Sequence, residues 1–228
     1  MSNPCTSVLE MLGMMVGASA WFCSLAATLM PQWLTLSTEL LAVESYESGL
    51  WETCVVQDVA GTECRPFDSL LGLPYNLTLA RILMCISDAL GVLSLLIAVP
   101  GLKVVKSCGG SYGRRVKRGI KITAAVLIFT AGVLVLAPVS MVAHETVLRF
   151  FDESLPHTVP RWEFGDALFV GWSAGFLYVV AALLFFTSCL GLEQNELQLV
   201  YHHHHPHQEN FKPHSSINSL DKKRTEYV

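Results

Sequence analysis

Seven cysteines carry most of the latent chemistry in this 228-residue chain, and their spacing sorts them. Cys54 and Cys64 stand ten residues apart in the hydrophilic stretch "ESGLWETCVVQDVAGTECRPF". Cys23, Cys85 and Cys189 fall in or at the end of apolar runs, and Cys5 and Cys108 lie outside them. Thiols offer disulfides, metal ligation or acylation, and the compartment decides which. "YHHHHPHQ" adds five histidines in six positions, but no cysteine or acid cluster fixes their geometry. The stretch reads as a polar tail and not as a metal site. Asn76-Leu77-Thr78 is a glycosylation sequon beside an apolar run. Neither a zincin H-E-x-x-H nor a phosphate-binding glycine loop is present, and "CGGSYGRR" reads as a flexible turn. The reading is a non-enzyme that needs no cofactor and no metal.

The elements that must position these residues are apolar. Runs at about 9–30, 82–102, 122–142 and 167–192 each reach the roughly 20 residues that cross a bilayer. Glycine and proline inside them (Gly13, Gly17, Gly91, Pro100, Gly132, Pro138) are tolerated in membrane helices. The segment 103–121 holds Lys103, Lys106, Arg114, Arg115, Lys117, Arg118 and Lys121 with no acid, which marks it as cytosolic. Four spans then put both termini in the cytosol: residues 1–8, which lack the basic start of a cleaved signal peptide, and a tail at 193–228 that reads as disordered. The outer segments 31–81 and 143–166 carry twelve acids against Arg65, Arg81, Arg149 and Arg161. A chain that is basic inside and acidic outside is no nucleic-acid binder. Its basic loop faces anionic membrane lipid.

With that topology only Cys54 and Cys64 lie on the oxidising side, so they pair with each other. Between them "VVQDVAGTE" reads as a hairpin, and "WLTLSTELLAVESY" supplies earlier strands. The expectation is a membrane-embedded four-helix bundle topped by a small extracellular antiparallel sheet made from the first loop. Trp33 follows the first span at an interfacial position, and Trp51 anchors the sheet to the helix ends. Asp88, about ten ångströms into the second span at 1.5 Å per residue, is expected to face the bundle and bond Ser24 or Thr28. Phe150 and Phe151 form an exposed aromatic pair in the second outer loop, a pattern that marks an interaction site. The sequon lies too close to the membrane for its modifying enzyme, so Asn76 is expected unmodified.

Trp33, Gly49-Leu50-Trp51, Cys54, Cys64 and Arg81 together resemble the claudin signature. The likeness continues through "FDSLLGLPYNLTLARILM", "LAPVSMVAHETVLRFFD" and "PRWEFGDALFVGW", and the terminal Tyr227-Val228 matches the usual claudin ending. The tryptophan and cysteine motif alone is shared with the wider superfamily of peripheral-myelin and epithelial membrane proteins, whose members also serve as auxiliary subunits of other membrane proteins. The resemblance implies a tight-junction protein of the plasma membrane. It would polymerise with itself and other claudins in cis, meet them in trans, and seal the paracellular space. Arg65 and Gln57 would then govern charge selectivity and favour cation exclusion or anion passage. Cys108 and Cys189 would be palmitoylated, and Tyr227 and Val228 would bind a PDZ scaffold of the zonula-occludens type. Met141 stands where the family usually has tryptophan, and Trp162 where it often has a base.

Overall fold

The structure, a computed structural model, describes residues 4–37, 44–57, 61–67, 74–102, 111–151 and 161–204. The chain divides into two compact units, Met1–Leu192 and Glu193–Val228, and the spans and sheet belong to the first. Helices α1 (Pro4–Leu29), α2 (Tyr75–Gly101), α3 (Ser111–Phe150) and α4 (Asp166–His204) supply four segments long and apolar enough to cross a membrane.

Each helix meets the others through a stripe at three- and four-residue spacing. On α1 the buried line is Glu10, Gly13, Gly17, Ala20, Ser24 and Ala27; on α2 it is Ala80, Met84, Ser87, Gly91, Ser94, Ala98 and Gly101. Lipid tails give helices no hydrophobic reason to associate, so small residues that admit close backbone approach must do so. A Cβ on Gly132 would come within 2.9 Å of the Tyr178 side chain, and one on Gly171 within 2.7 Å of Val139. Larger side chains such as Tyr178, Phe185, Ile128 and Val135 fill the space between the stripes.

Strands β1 (Leu34–Ser37), β2 (Glu44–Ser48), β3 (Glu52–Gln57), β4 (Gly61–Pro66) and β5 (Trp162–Phe164) form one antiparallel sheet in the order β4-β3-β2-β1-β5. The Cys54–Cys64 hairpin is formed with the two cysteines directly opposite and a disulfide between them. Gly61, at φ +85°, opens β4 in a conformation that only glycine adopts cheaply.

Three expectations need correction. The sheet is not built from the first outer loop alone, because Trp162-Glu163-Phe164 of the second pairs with Leu36, Thr35 and Leu34. Helix α3 runs 40 residues, about 60 Å at 1.5 Å per residue, twice the apolar thickness of a bilayer. It therefore takes in both the end of the basic segment and residues 143–150, where hydropathy had suggested loops. The tail at 193–228 is not irregular throughout, since α4 continues to His204 on the helix formers of "LEQNELQLV" and meets no proline before Pro206.

Candidate functional site

The last carbonyls of a helix have no intrahelical partner. At the end of α1 two of them are taken by tryptophans. Trp33 Nε1 donates to the Ala27 carbonyl at 2.8 Å, and Trp51 Nε1 donates to the Thr28 carbonyl at 2.8 Å. Trp33 is wholly enclosed, as is Leu50. Gly49 lies so close to the chain that a Cβ there would stand 2.5 Å from the Pro31 Cα. Arg81, in the second turn of α2, donates from Nε to the Leu50 carbonyl. Its guanidinium lies over the rings of Trp51 at 5.3 Å and Phe67 at 5.1 Å, a doubled cation–π contact.

Trp33, Gly49, Leu50, Trp51 and Arg81 thus converge on one joint that mounts the sheet on the bundle. The joint reaches into the spans. Asp88 accepts from Ser24 Oγ at 2.6 Å and Thr28 Oγ1 at 2.9 Å, and Thr28 is the residue whose carbonyl holds Trp51. Trp21 Nε1 also donates to the Asp88 carbonyl at 3.2 Å. An acid inside a span is costly unless it is hydrogen-bonded. Here two hydroxyls meet it, in agreement with the bundle-facing role expected for it.

Residues opposite one another in an antiparallel sheet share a face. Cys64 faces Cys54, so its neighbours Glu63 and Arg65 project from the other side. Arg65 lies opposite Thr53, and Gln57 opposite Gly61, which puts both proposed selectivity residues on one face. All of β4 is exposed.

The PMP-22/EMP/MP20/Claudin family model matches residues 7–185. The chain belongs to that family. It is 33% identical to mouse Claudin-7 over 190 residues, 82% of this chain and 89% of that one. It is 34% identical to human Claudin-9 over 169 residues, covering 73% and 76%. To rat Claudin-3 it is 32% identical over 184 residues, covering 79% and 82%. These relatives are all claudins, so the family likeness spans the bundle and the sheet together.

Within this claudin framework the second outer segment has its own geometry. Phe150 closes α3 and Phe151 follows in a turn, their rings edge to face at 5.4 Å. Arg161 lies over the Phe150 ring at 5.3 Å and donates to its carbonyl, whereas Phe151 is 72% exposed. Between α3 and β5 lies an apolar cavity of about 290 Å³, lined by Thr146, Val147, Phe150, Phe151, Trp162, Glu163 and Phe164. Trp162 therefore serves the sheet and this cavity. Met141 sits partly buried in α3.

Asn76 lies in the first turn of α2, where its amide donates to Glu145 of α3. That contact holds the sequon in a helix. Cys189 is 4% exposed on the buried face of α4. Cys108, Tyr227 and Val228 lie outside the described residues.

Sequence reading missed a second polar centre at the end of the bundle away from the sheet. Lys121 donates to Glu10 at 2.5 Å, Ser188 donates to the same Glu10 oxygen at 3.1 Å, and all three are buried. The available cue was a lone acid in the first apolar run. Residues 171–175, "GWSAG", also carry the letters of a serine-hydrolase elbow, contrary to the expectation that the chain has no G-x-S-x-G. That elbow needs a strand-to-helix turn. Here Ser173 lies inside α4 and donates to the Phe169 carbonyl at 2.9 Å, so the match is one of letters only.

Proposed function

We propose that this chain is a tight-junction barrier protein of the plasma membrane. Copies associate side by side with one another and with other claudins, meet copies on the next cell, and seal the paracellular space, where Arg65 disfavours cations. The observation that carries this reading is the mounted sheet. A disulfide clasps its outer hairpin, two indole caps and a sandwiched arginine fix it to the bundle, and its exposed edge strand presents Arg65. A rigid wall with a fixed surface charge suits a selective seal, because a charge in a confined gap is screened less than one on an open surface.

In this reading both termini are cytosolic, the basic segment lies against anionic lipid, and the Tyr227-Val228 end joins a PDZ sheet edge of a zonula-occludens-type scaffold. Palmitoylation belongs to Cys108, given the burial of Cys189. The exposed Phe151 ring supplies contact between cells.

Expression in cells that lack junctions provides the test. Freeze-fracture should show continuous intramembrane strands where expressing cells touch. Protein that reaches the surface and forms no strands overturns the barrier reading in favour of an auxiliary subunit of another membrane protein.

A further inference from the structure

The β4 register gives Arg65 an opposing neighbour that its place beside the disulfide does not reveal. Glu63 and Arg65 flank Cys64, so both side chains leave the face opposite the disulfide, and both residues are exposed. Two residues along a strand put them about 7 Å apart. The row through Arg65 continues as Thr53, Ser48, Leu34 and Phe164. The row through Glu63 continues as Val55, Tyr46, Leu36 and Trp162. Neither row holds another charge. Glu44 shares the face, but two strand spacings and one two-residue step separate it from Glu63, about 12 Å, which exceeds the ~8 Å screening length at physiological salt.

We propose that Glu63 is a further selectivity-determining residue: it offsets Arg65, so that the wall presents a balanced charge pair and not a lone cation. This rests on the reading of Arg65 as a residue of the paracellular wall. One unit charge about 7 Å from an ion's path, in a medium like water, is worth about one RT, or roughly a threefold change in local monovalent ion concentration. Two opposite charges at that separation cancel most of this for an ion passing farther away. The wild-type chain therefore discriminates weakly between sodium and chloride. Each single neutralisation unmasks the other charge.

The experiment is expression in a leaky epithelial line, with dilution potentials compared at equal surface amounts measured by biotinylation. Glu63→Gln should raise the chloride-to-sodium permeability ratio about sevenfold, because chloride gains and sodium loses about one RT each, and Arg65→Gln should lower it about as much. The double variant should return close to wild type. Thr62→Glu puts a charge on the disulfide face of the same strand, and it should leave the ratio unchanged. A shift with Arg65→Gln and none with Glu63→Gln overturns the charge pair and leaves the Arg65 reading standing. No shift with either overturns both. A Thr62→Glu shift as large as that of Glu63→Gln overturns the face assignment on which the pair depends.

Discussion

Two cations are buried at opposite ends of the bundle, and they are held in different ways. At the sheet end, Arg81 is met by two aromatic faces and a backbone carbonyl. At the far end, Lys121 is met by the Glu10 carboxylate, itself held by Ser188. The difference follows from the side chains. A guanidinium is planar and weakly hydrated, so ring faces can replace much of its water. An ammonium is a compact, strongly hydrated charge, and in a lipid-embedded bundle it needs a counter-charge. The arginine is thereby free to work as a joint between sheet and helix. The lysine ties α1 to α3 and, through Ser188, to α4.

The largest expected effect comes from breaking the ion pair by halves. Lys121→Met leaves a buried, uncompensated carboxylate and should cost about 3–5 kcal/mol. Thermal unfolding in detergent should show a large loss for that variant and for Glu10→Leu. The double variant Glu10→Leu/Lys121→Met should recover most of it. A double variant no better than the singles would sink the ion-pair account. Arg81→Lys comes next. It keeps the charge and loses the planar contacts with Trp51 and Phe67, so it should cost about 2–3 kcal/mol. Because no carboxylate among the described residues holds Arg81, rescue by an opposing acid substitution is not expected, in contrast with the far end. A wild-type melting curve for Arg81→Lys would show that charge alone suffices. The smallest effect on stability belongs to Phe151→Ala, at an exposed ring, within about 0.5 kcal/mol. Its consequence should lie in adhesion: mixed cultures should show weaker clustering at contacts between expressing cells. Unchanged clustering would remove Phe151 from the contact.

The sheet-end joint was largely legible in the sequence, and the far end was not. Trp33, Gly49-Leu50-Trp51 and Arg81 form a compact motif of rare residue types, and two outside cysteines could pair only with each other. The spans followed from apolar length. Glu10 and Lys121 are 111 residues apart, and Lys121 is the last of a run of bases, where one more cation carries no distinguishing mark. Strand β5 is three residues long, too short to establish an alternation, and is fixed by its pairing with β1. Helix α3 outran its hydropathy window because "RRVKRGIK" is polar and still favours a helix. Glu63 was visible as a residue, but the face it shares with Arg65 emerges only from strand register.

The fifth strand also changes how the molecule carries load. β1 continues from α1 through Met30–Trp33, and β5 runs through Gly165 into α4. The sheet is thus fastened at two adjacent strands that belong to different membrane anchors, bridged by three residue pairs and by backbone bonds from Gly165 to Trp33 and from Ala167 to Gln32. A sideways pull on the sheet is therefore shared between two helices and not borne by one.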